Sequence, residues 1–177
     1  RNSMKAREVR IPAALVDVVV IDESQRQGYE LVYDAAVSGE RFTHDLEEQT
    51  VQFSPRLVIA KRARQELVDD AVINFGFGIP DQVAKLIARD GMSDRYYQTI
   101  EHGTYGGRLM DGDLFGYAMN PNCMIDGPSQ FDFYSGGGLD IAFLGFGEID
   151  AAGNVNVSKL AGNTVGPGGF IDIAQNA

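Results

Sequence analysis

Between residues 71 and 101 the chain alternates an apolar run that stops at glycine, an amphipathic run, and a second apolar run, and this alternation limits the fold more than any other feature. AVINFGFG (71–78) is short, β-rich and ends in a G-x-G, as a buried strand does. PDQVAKLIARDG (80–91) places apolar residues at helical spacing and has Gly91 in position to close the helix in the left-handed region. YYQTIE (96–101) is the next strand. Strand, helix and strand in succession require a crossover, so the two strands lie parallel and helices cover the sheet. The fold class expected is α/β, with an open, mainly parallel sheet and helices on its faces.

The helix before this unit is also legible. Ser54 can cap RLVIAKRARQEL, and Pro55 stands at the first helical position, where its missing N–H costs nothing. LDIAFLGF (139–146) reads as another apolar strand, and EIDAAGNVNVS (148–158) as a hairpin turning at Ala-Gly-Asn. Residues from Glu101 to about Gln130 read as loops. Upstream, ALVDVVVID (within residues 13–22) and GYELVYD (around residues 29–34) read as two short strands, followed by the polar run HDLEEQT. Two strands in about fifty residues cannot bury much surface alone, so residues 1–52 are expected to belong to a larger body and residues 53–177 to a second unit. The chain stops soon after FIDIAQNA without a polar tail, and it reads as an excerpt of a longer protein.

Composition removes several function classes. Apolar residues make up 44% and charged residues 23%, as in a soluble globular protein. No apolar run approaches the roughly 20 residues needed to cross a bilayer, and the N-terminus RNSMKAREVR lacks the apolar core of a secretory signal. Cys123 is the only cysteine, which excludes a disulfide framework within the chain, and a cytoplasmic location is expected. Residues 101–177 carry two basic residues, Arg108 and Lys159, against nine acids, so nucleic acid is not a partner of this part. The same stretch holds 16 of the 21 glycines, so an anionic ligand there would depend on backbone N–H groups.

Four glycine clusters remain: GFGIP (76–80), GTYGG after Glu101, SGGGLD (135–140) and GPGG (166–169). GFGIP lacks the third glycine of a dinucleotide fingerprint, and on spacing alone it is a tight strand-to-helix turn, although such a turn also offers N–H groups to an anion. No lysine follows in P-loop spacing. His44 and His102 have no metal-ligand spacing, and no G-x-S-x-G elbow occurs. Glu101, directly before a histidine and three glycines, reads locally as a capped turn. Its chemistry allows more: a carboxylate is ionised at neutral pH and can be a nucleophile without a base.

NFGFGIP, IEHGTYGG, FYSGGGLDIAFLG and TVGPGGFIDIAQNA, in this order, resemble the class I coenzyme A transferases. The likeness is strongest to the single-chain acyl-CoA:carboxylate enzymes of propionate or acetate type, which are similar to succinyl-CoA:3-ketoacid CoA-transferase. It covers nearly the whole chain: residues 1–52 look like the tail of the N-terminal half with the inter-half segment, and residues 53–177 like the first part of the glutamate-bearing C-terminal half. The resemblance implies a ping-pong transfer of CoA between a short-chain acyl-CoA and a free carboxylate, through a glutamyl-CoA thioester on Glu101. It implies substrate-binding roles for Gly76, Gly78, Gly103, Gly137, Gly138, Gly168 and Gly169. It further implies no metal or other cofactor, CoA being a substrate, and a homo-oligomer whose site is completed by the N-terminal half of the same polypeptide, so that this chain alone would be inactive. His102 departs from the residues other members carry there. An acyl-CoA hydrolase using the same glutamate and a non-catalytic α/β binding domain are the alternatives.

Overall fold

A computed structural model describes residues 5–6, 9–46 and 50–177. The N-terminus read as free of a secretory signal and the polar run HDLEEQT lie partly outside the described residues, at 1–4, 7–8 and 47–49.

Ser54 opens the unit built around the main sheet. Its hydroxyl accepts from the Leu57 N–H at 3.2 Å and caps α1 (Pro55–Ala63), which tightens into a 3-10 turn over Arg64–Glu66. Then follow β1 (Val72–Phe75), α2 (Asp81–Arg89) and β2 (Tyr97–Ile100), the expected strand–helix–strand unit. Gly91 has φ +65°, the left-handed conformation a helix end requires. Four two-residue strands come next: β3 (Thr104–Tyr105), β4 (Arg108–Leu109), β5 (Ala118–Met119) and β6 (Cys123–Met124). Asp126 caps α3 (Gly127–Phe133) by accepting from the Ser129 N–H at 3.0 Å. A wide helical turn, Tyr134–Gly138, leads into β7 (Ile141–Phe143). The expected hairpin is β8 (Glu148–Ile149) with β9 (Val155–Asn156), and its turn is held by Asp150, which accepts from the Ala152 and Asn154 N–H groups at 2.9 Å each. A second hairpin, β10 (Lys159–Leu160) with β11 (Asn163–Thr164), precedes α4 (Phe170–Asn176).

The main sheet has the order β6-β3-β2-β1-β7. β1 lies parallel to both β2 and β7, while β3 and β6 extend the β2 edge antiparallel. The register sets Asn74 beside Thr99 on one side and beside Ala142 on the other. Side chains alternate across a strand, so this register separates two faces. Ile73, Phe75 and Ile100 face α1 and α2, where they pack with Leu57, Ala60, Val83, Leu86 and Ile87. Each fully buried side chain of this kind contributes roughly 1.5–3 kcal/mol. Phe75 and Phe143, paired in register, stack at 5.8 Å. The opposite face carries Asn74, Thr99 and Ala142, and it is covered by Tyr134, Leu139 and Ile173 from the α3 and α4 side. No helix among the described residues is long and apolar enough to cross a membrane.

Three expectations are corrected. Residues 13–22 form no strand: Ala13–Leu15 is a 3-10 turn, and residues 18–21 run exposed with no ladder partner. β-Branched residues favour an extended backbone, but a strand exists only when a neighbour takes its hydrogen bonds. Residues 29–34 are likewise irregular, and around them the chain folds back so that Ala36 and Val37 bury against Met119. Side-chain bonds fix this docking: Asn120 Oδ1 accepts from the Thr43 N–H at 2.9 Å, its Nδ2 donates to the Thr43 carbonyl at 2.8 Å, and the Tyr117 hydroxyl donates to the Gln27 carbonyl at 2.6 Å. Finally, the region read as loops between Glu101 and Gln130 contains β3 to β6. Two-residue strands are too short to show a period of two in sequence.

Candidate active site

The carboxyl ends of the three parallel strands converge. β1 runs out into the 76–80 turn, β2 into Glu101, and β7 into the 144–147 loop. In open α/β sheets the crevice beyond the carboxyl ends of the strands is where ligands bind. The turns after β1 and β7 are packed together: the Gly76 N–H donates to the Phe143 carbonyl at 2.8 Å, and a Cβ on Gly76 would lie 3.0 Å from that oxygen.

Glu101 is half-buried, and by strand parity it shares the Thr99 face. Its Oε2 accepts from Asn74 Nδ2 at 3.2 Å. The same nitrogen lies 3.2 Å from the Tyr134 hydroxyl oxygen, which is 2.5 Å from Thr99 Oγ1, and that hydroxyl donates to the Ile73 carbonyl at 2.8 Å. Asn74, Thr99 and Tyr134 are all fully buried. Asn74 Oδ1 has no hydrogen-bond partner, a state that costs about 1–3 kcal/mol for a buried acceptor. Gln130, also fully buried, lies beside the Tyr105 and Tyr134 hydroxyls without either amide atom reaching hydrogen-bonding geometry. Burial pushes the Tyr134 hydroxyl above its ordinary pKa, its hydrogen bonds with Thr99 and Asn74 oppose this, and the Glu101 charge adds to it. Tyr134 therefore keeps its proton at neutral pH.

The glycines singled out in the sequence divide into distinct places. Gly169 lies against the carboxylate arm: a Cβ there would stand 3.5 Å from Glu101 Cγ and 3.2 Å from both Phe131 Cζ and Ile173 Cδ1. Gly168 precedes it with φ +55° and open space around it. Gly103 closes the turn after Glu101 with φ +101°, where a Cβ would fall 2.1 Å from the Ile125 carbonyl oxygen. Gly78 has φ +94° and faces open space at the head of α2. Gly137 and Gly138 serve the turn into β7, the first through φ +88° and the second because the Phe133 ring occupies the space a Cβ would need. Only Gly169 among them touches the Glu101 side chain in this way. His102 is exposed and turned from the carboxylate; its ring covers Gly116, where a Cβ would meet Nδ1 at 2.4 Å, and it meets Phe115 edge-on at 6.3 Å.

At the start of α2, Asp81 is buried at 9% exposure. Burial raises its carboxyl above the ordinary value of 3.8, and hydrogen bonds from Gln82 and the Gly78 backbone pull it back.

Asn74, Thr99, Tyr134 and Gln130 did not emerge from the sequence reading. Asn74 carried a signal: an amide in the middle of the apolar run VINF must be buried and must find partners.

A half-buried carboxylate thus stands at the carboxyl end of a central parallel strand, with a glycine laid against its arm. Among known proteins the chain is similar to coenzyme A transferases. Over its entire length the chain is 39% identical to acetate CoA-transferase YdiF of Escherichia coli strain K12, and over 99% of it 36% identical to caffeate CoA-transferase of Acetobacterium woodii. The crystal structure of the acyl-CoA transferase YdiF apoenzyme from E. coli O157:H7 matches the whole chain with a TM-score of 0.83 at 38% identity, covering 32% of that chain. The same protein in a thioester complex with CoA matches at a TM-score of 0.82, with 36% identity, over all of this chain and 34% of that one. The chain spans about a third of the length of the curated relatives it matches, 34% and 35%. No family model matches the sequence. The resemblance to the class I coenzyme A transferases, read first from four motifs, holds along the whole chain.

Proposed function

We propose that the protein of which this chain forms a part transfers CoA between a short-chain acyl-CoA and a free carboxylate, with Glu101 as the covalent nucleophile. The observation that carries this reading is the setting of Glu101. One carboxylate oxygen is held by the Asn74 amide, and the arm lies beside Gly169, where even a Cβ would come into contact with it at 3.5 Å. The relatives support the reaction class, since their names are those of acetate and caffeate CoA-transferases, and a thioester complex with CoA exists for one of them.

In the first step the Glu101 carboxylate attacks the thioester carbonyl carbon, the C–S bond breaks, and a mixed anhydride forms as CoA thiolate leaves. The thiolate then attacks the Glu101 Cδ of the anhydride; the donor acid departs as a carboxylate, and a glutamyl-CoA thioester remains. An acceptor carboxylate runs the same steps in reverse. No proton moves in any step, so none of the steps calls for a base. When the thiolate adds to Cδ, negative charge develops on the oxygen that faces Asn74 Nδ2, and a donor already in place stabilises it without reorganisation. The anhydride hydrolyses if water reaches it, so the site must close over it. Gly76, Gly78, Gly103, Gly137, Gly138 and Gly168 are proposed to line the approach of the thioester beside Gly169. The N-terminal half of the same polypeptide is proposed to supply the remaining wall, in a cytoplasmic homo-oligomer with no metal or redox cofactor.

The test is covalent trapping. Full-length protein incubated with an acyl-CoA and then treated with borohydride or hydroxylamine should carry its modification on Glu101 by peptide mass mapping. Glu101→Ala should lose at least about a thousandfold in turnover. An unmodified Glu101, or turnover retained by Glu101→Ala, sinks the mechanism; release of free acid without an acceptor would make the protein a hydrolase.

A further inference from the structure

The buried hydroxyls behind Glu101 form a wire whose direction can be read from donor counting. The Ile73 carbonyl can only accept, so the single proton of Thr99 Oγ1 is committed to it. Thr99 Oγ1 must then accept in its 2.5 Å contact with Tyr134, which commits the tyrosine proton to Thr99. The Tyr134 oxygen has only lone pairs left for Asn74, so it must be the amide NH2, and not the amide oxygen, that faces it. Because the same nitrogen also reaches Glu101 Oε2, its two protons serve Tyr134 and Glu101 together. The reversed amide would set its oxygen against two acceptors at once, a tyrosine oxygen without a free proton and a carboxylate. The unpartnered Asn74 Oδ1 is the remainder of this arrangement: every other polar atom of the wire is used.

We propose that Tyr134 and Thr99 are positioning residues that fix the Asn74 side-chain amide with its N–H toward Glu101, so that the carboxylate always meets a donor. The Ile73 carbonyl is the anchor that sets the direction of the whole wire. The proposal rests on Glu101 being the covalent carboxylate. Burial supports it by keeping the Tyr134 proton in place at neutral pH. Removing Tyr134's acceptor, Thr99, frees the tyrosine proton to compete for Asn74 Oδ1, so the amide is no longer held in the single orientation that faces Glu101 with its N–H.

The experiment compares Thr99→Ser, Thr99→Val and Tyr134→Phe in the full-length protein, by steady-state kinetics and by the single-turnover rate of the Glu101–CoA adduct. Thr99→Ser keeps the hydroxyl and loses a methyl; Thr99→Val keeps the shape and loses the hydroxyl. Thr99→Ser should stay within about threefold of wild type in kcat, while Thr99→Val and Tyr134→Phe should lose about tenfold or more, with KM for acyl-CoA changed by less than about twofold. In an Asn74→Ala background the Tyr134→Phe change should have no further effect on adduct formation, because both act through one amide. A merely structural role predicts instead that Ser and Val fall together, or that the two losses multiply in the double variant, and either result overturns the proposal. If one variant fails to fold, the remaining Thr99 pair or the Asn74 background still decides it. Wild type that forms no Glu101 adduct would overturn the transferase reading itself, whereas wild type that forms it with Thr99→Val unimpaired overturns only the wire.

Discussion

A Cβ added at Gly103 would fall 2.1 Å from the Ile125 carbonyl oxygen, and the residue already sits at φ +101°. A Cβ added at Gly169 meets only side-chain ends, at 3.2 Å or more, with the backbone at φ −76°. The two glycines nearest Glu101 in space and sequence therefore fail in different ways when replaced. Gly103→Ala combines a left-handed backbone with a collision against main chain that cannot step aside, and is expected to cost about 3 kcal/mol or more in stability. Gly169→Ala needs only a few tenths of an ångström from the Phe131 and Ile173 side chains and stands in ordinary contact with Glu101, so its stability should stay within about 1 kcal/mol of wild type. Its activity should fall, because the methyl takes up space beside the carboxylate arm where the thioester is proposed to approach. Denaturant melts and turnover measured on both full-length variants check this; Gly169→Ala with full activity would remove the glycine from the site. His102 belongs to the same scale: its ring fills the space over Gly116, a packing role that its place beside Glu101 in the sequence does not reveal.

At the scale of elements, α2 carries a carboxylate that its surroundings disfavour. The folded pKa of Asp81 is raised above 3.8 by burial, so the fold prefers the protonated form. The stability linked to that group is fully present below pH 3.8 and is lost as pH rises through the folded pKa. Asp81→Asn should accordingly melt higher than wild type at pH 7, and the difference should close as the pH approaches 3.8. Thermal melts across pH 3.5–7 read this, and a variant that melts lower at pH 7 would show that the charged form is the one the fold favours. The existence of α1, β1, α2, β2, β7 and the β8–β9 hairpin was legible because each carries its own signal: the Ser54-Pro55 start, the apolar runs ending in glycine, the Ala-Gly-Asn turn. β3 to β6 were not, since they are two residues each and are defined only by partners distant in sequence. The apparent strand in residues 13–22 failed for the converse reason, a strong local preference with no partner. Glu101 stood out in the sequence through the four motifs taken together, whereas Asn74, Thr99 and Tyr134, which form the hydrogen-bonded group behind it, did not. Tyr134 and Gln130 sit in and just after a short helix without a periodic pattern of its own, and Thr99 is an ordinary strand threonine until its register with Asn74 is known.

Over the whole molecule, order is concentrated on the sheet. β1 is flanked by hydrogen-bonded strands on both sides, and Ile73, Phe75 and Ile100 are fully buried, so their amides can exchange only through an opening that disrupts the core. Residues 18–21 present the opposite case. They are at least 75% exposed, and among the described residues their backbone groups have no hydrogen-bond partner. Apolar preference cannot protect an amide; only burial or a bond can. Amide exchange on the 177-residue chain should therefore separate the two by about a thousandfold, equivalent to some 4 kcal/mol of opening free energy, with β1 and β2 slow and residues 18–21 near the rate of an unstructured peptide. Residues 35–43 should fall between, since Ala36 and Val37 are buried against Met119 and the Asn120 side chain bridges to Thr43. Equal protection in residues 18–21 and in β1 would mean that the VVVI run has found a strand partner, and the unpaired course of that segment would be wrong. An intermediate value that rises with protein concentration would place that partner on a second copy of the chain.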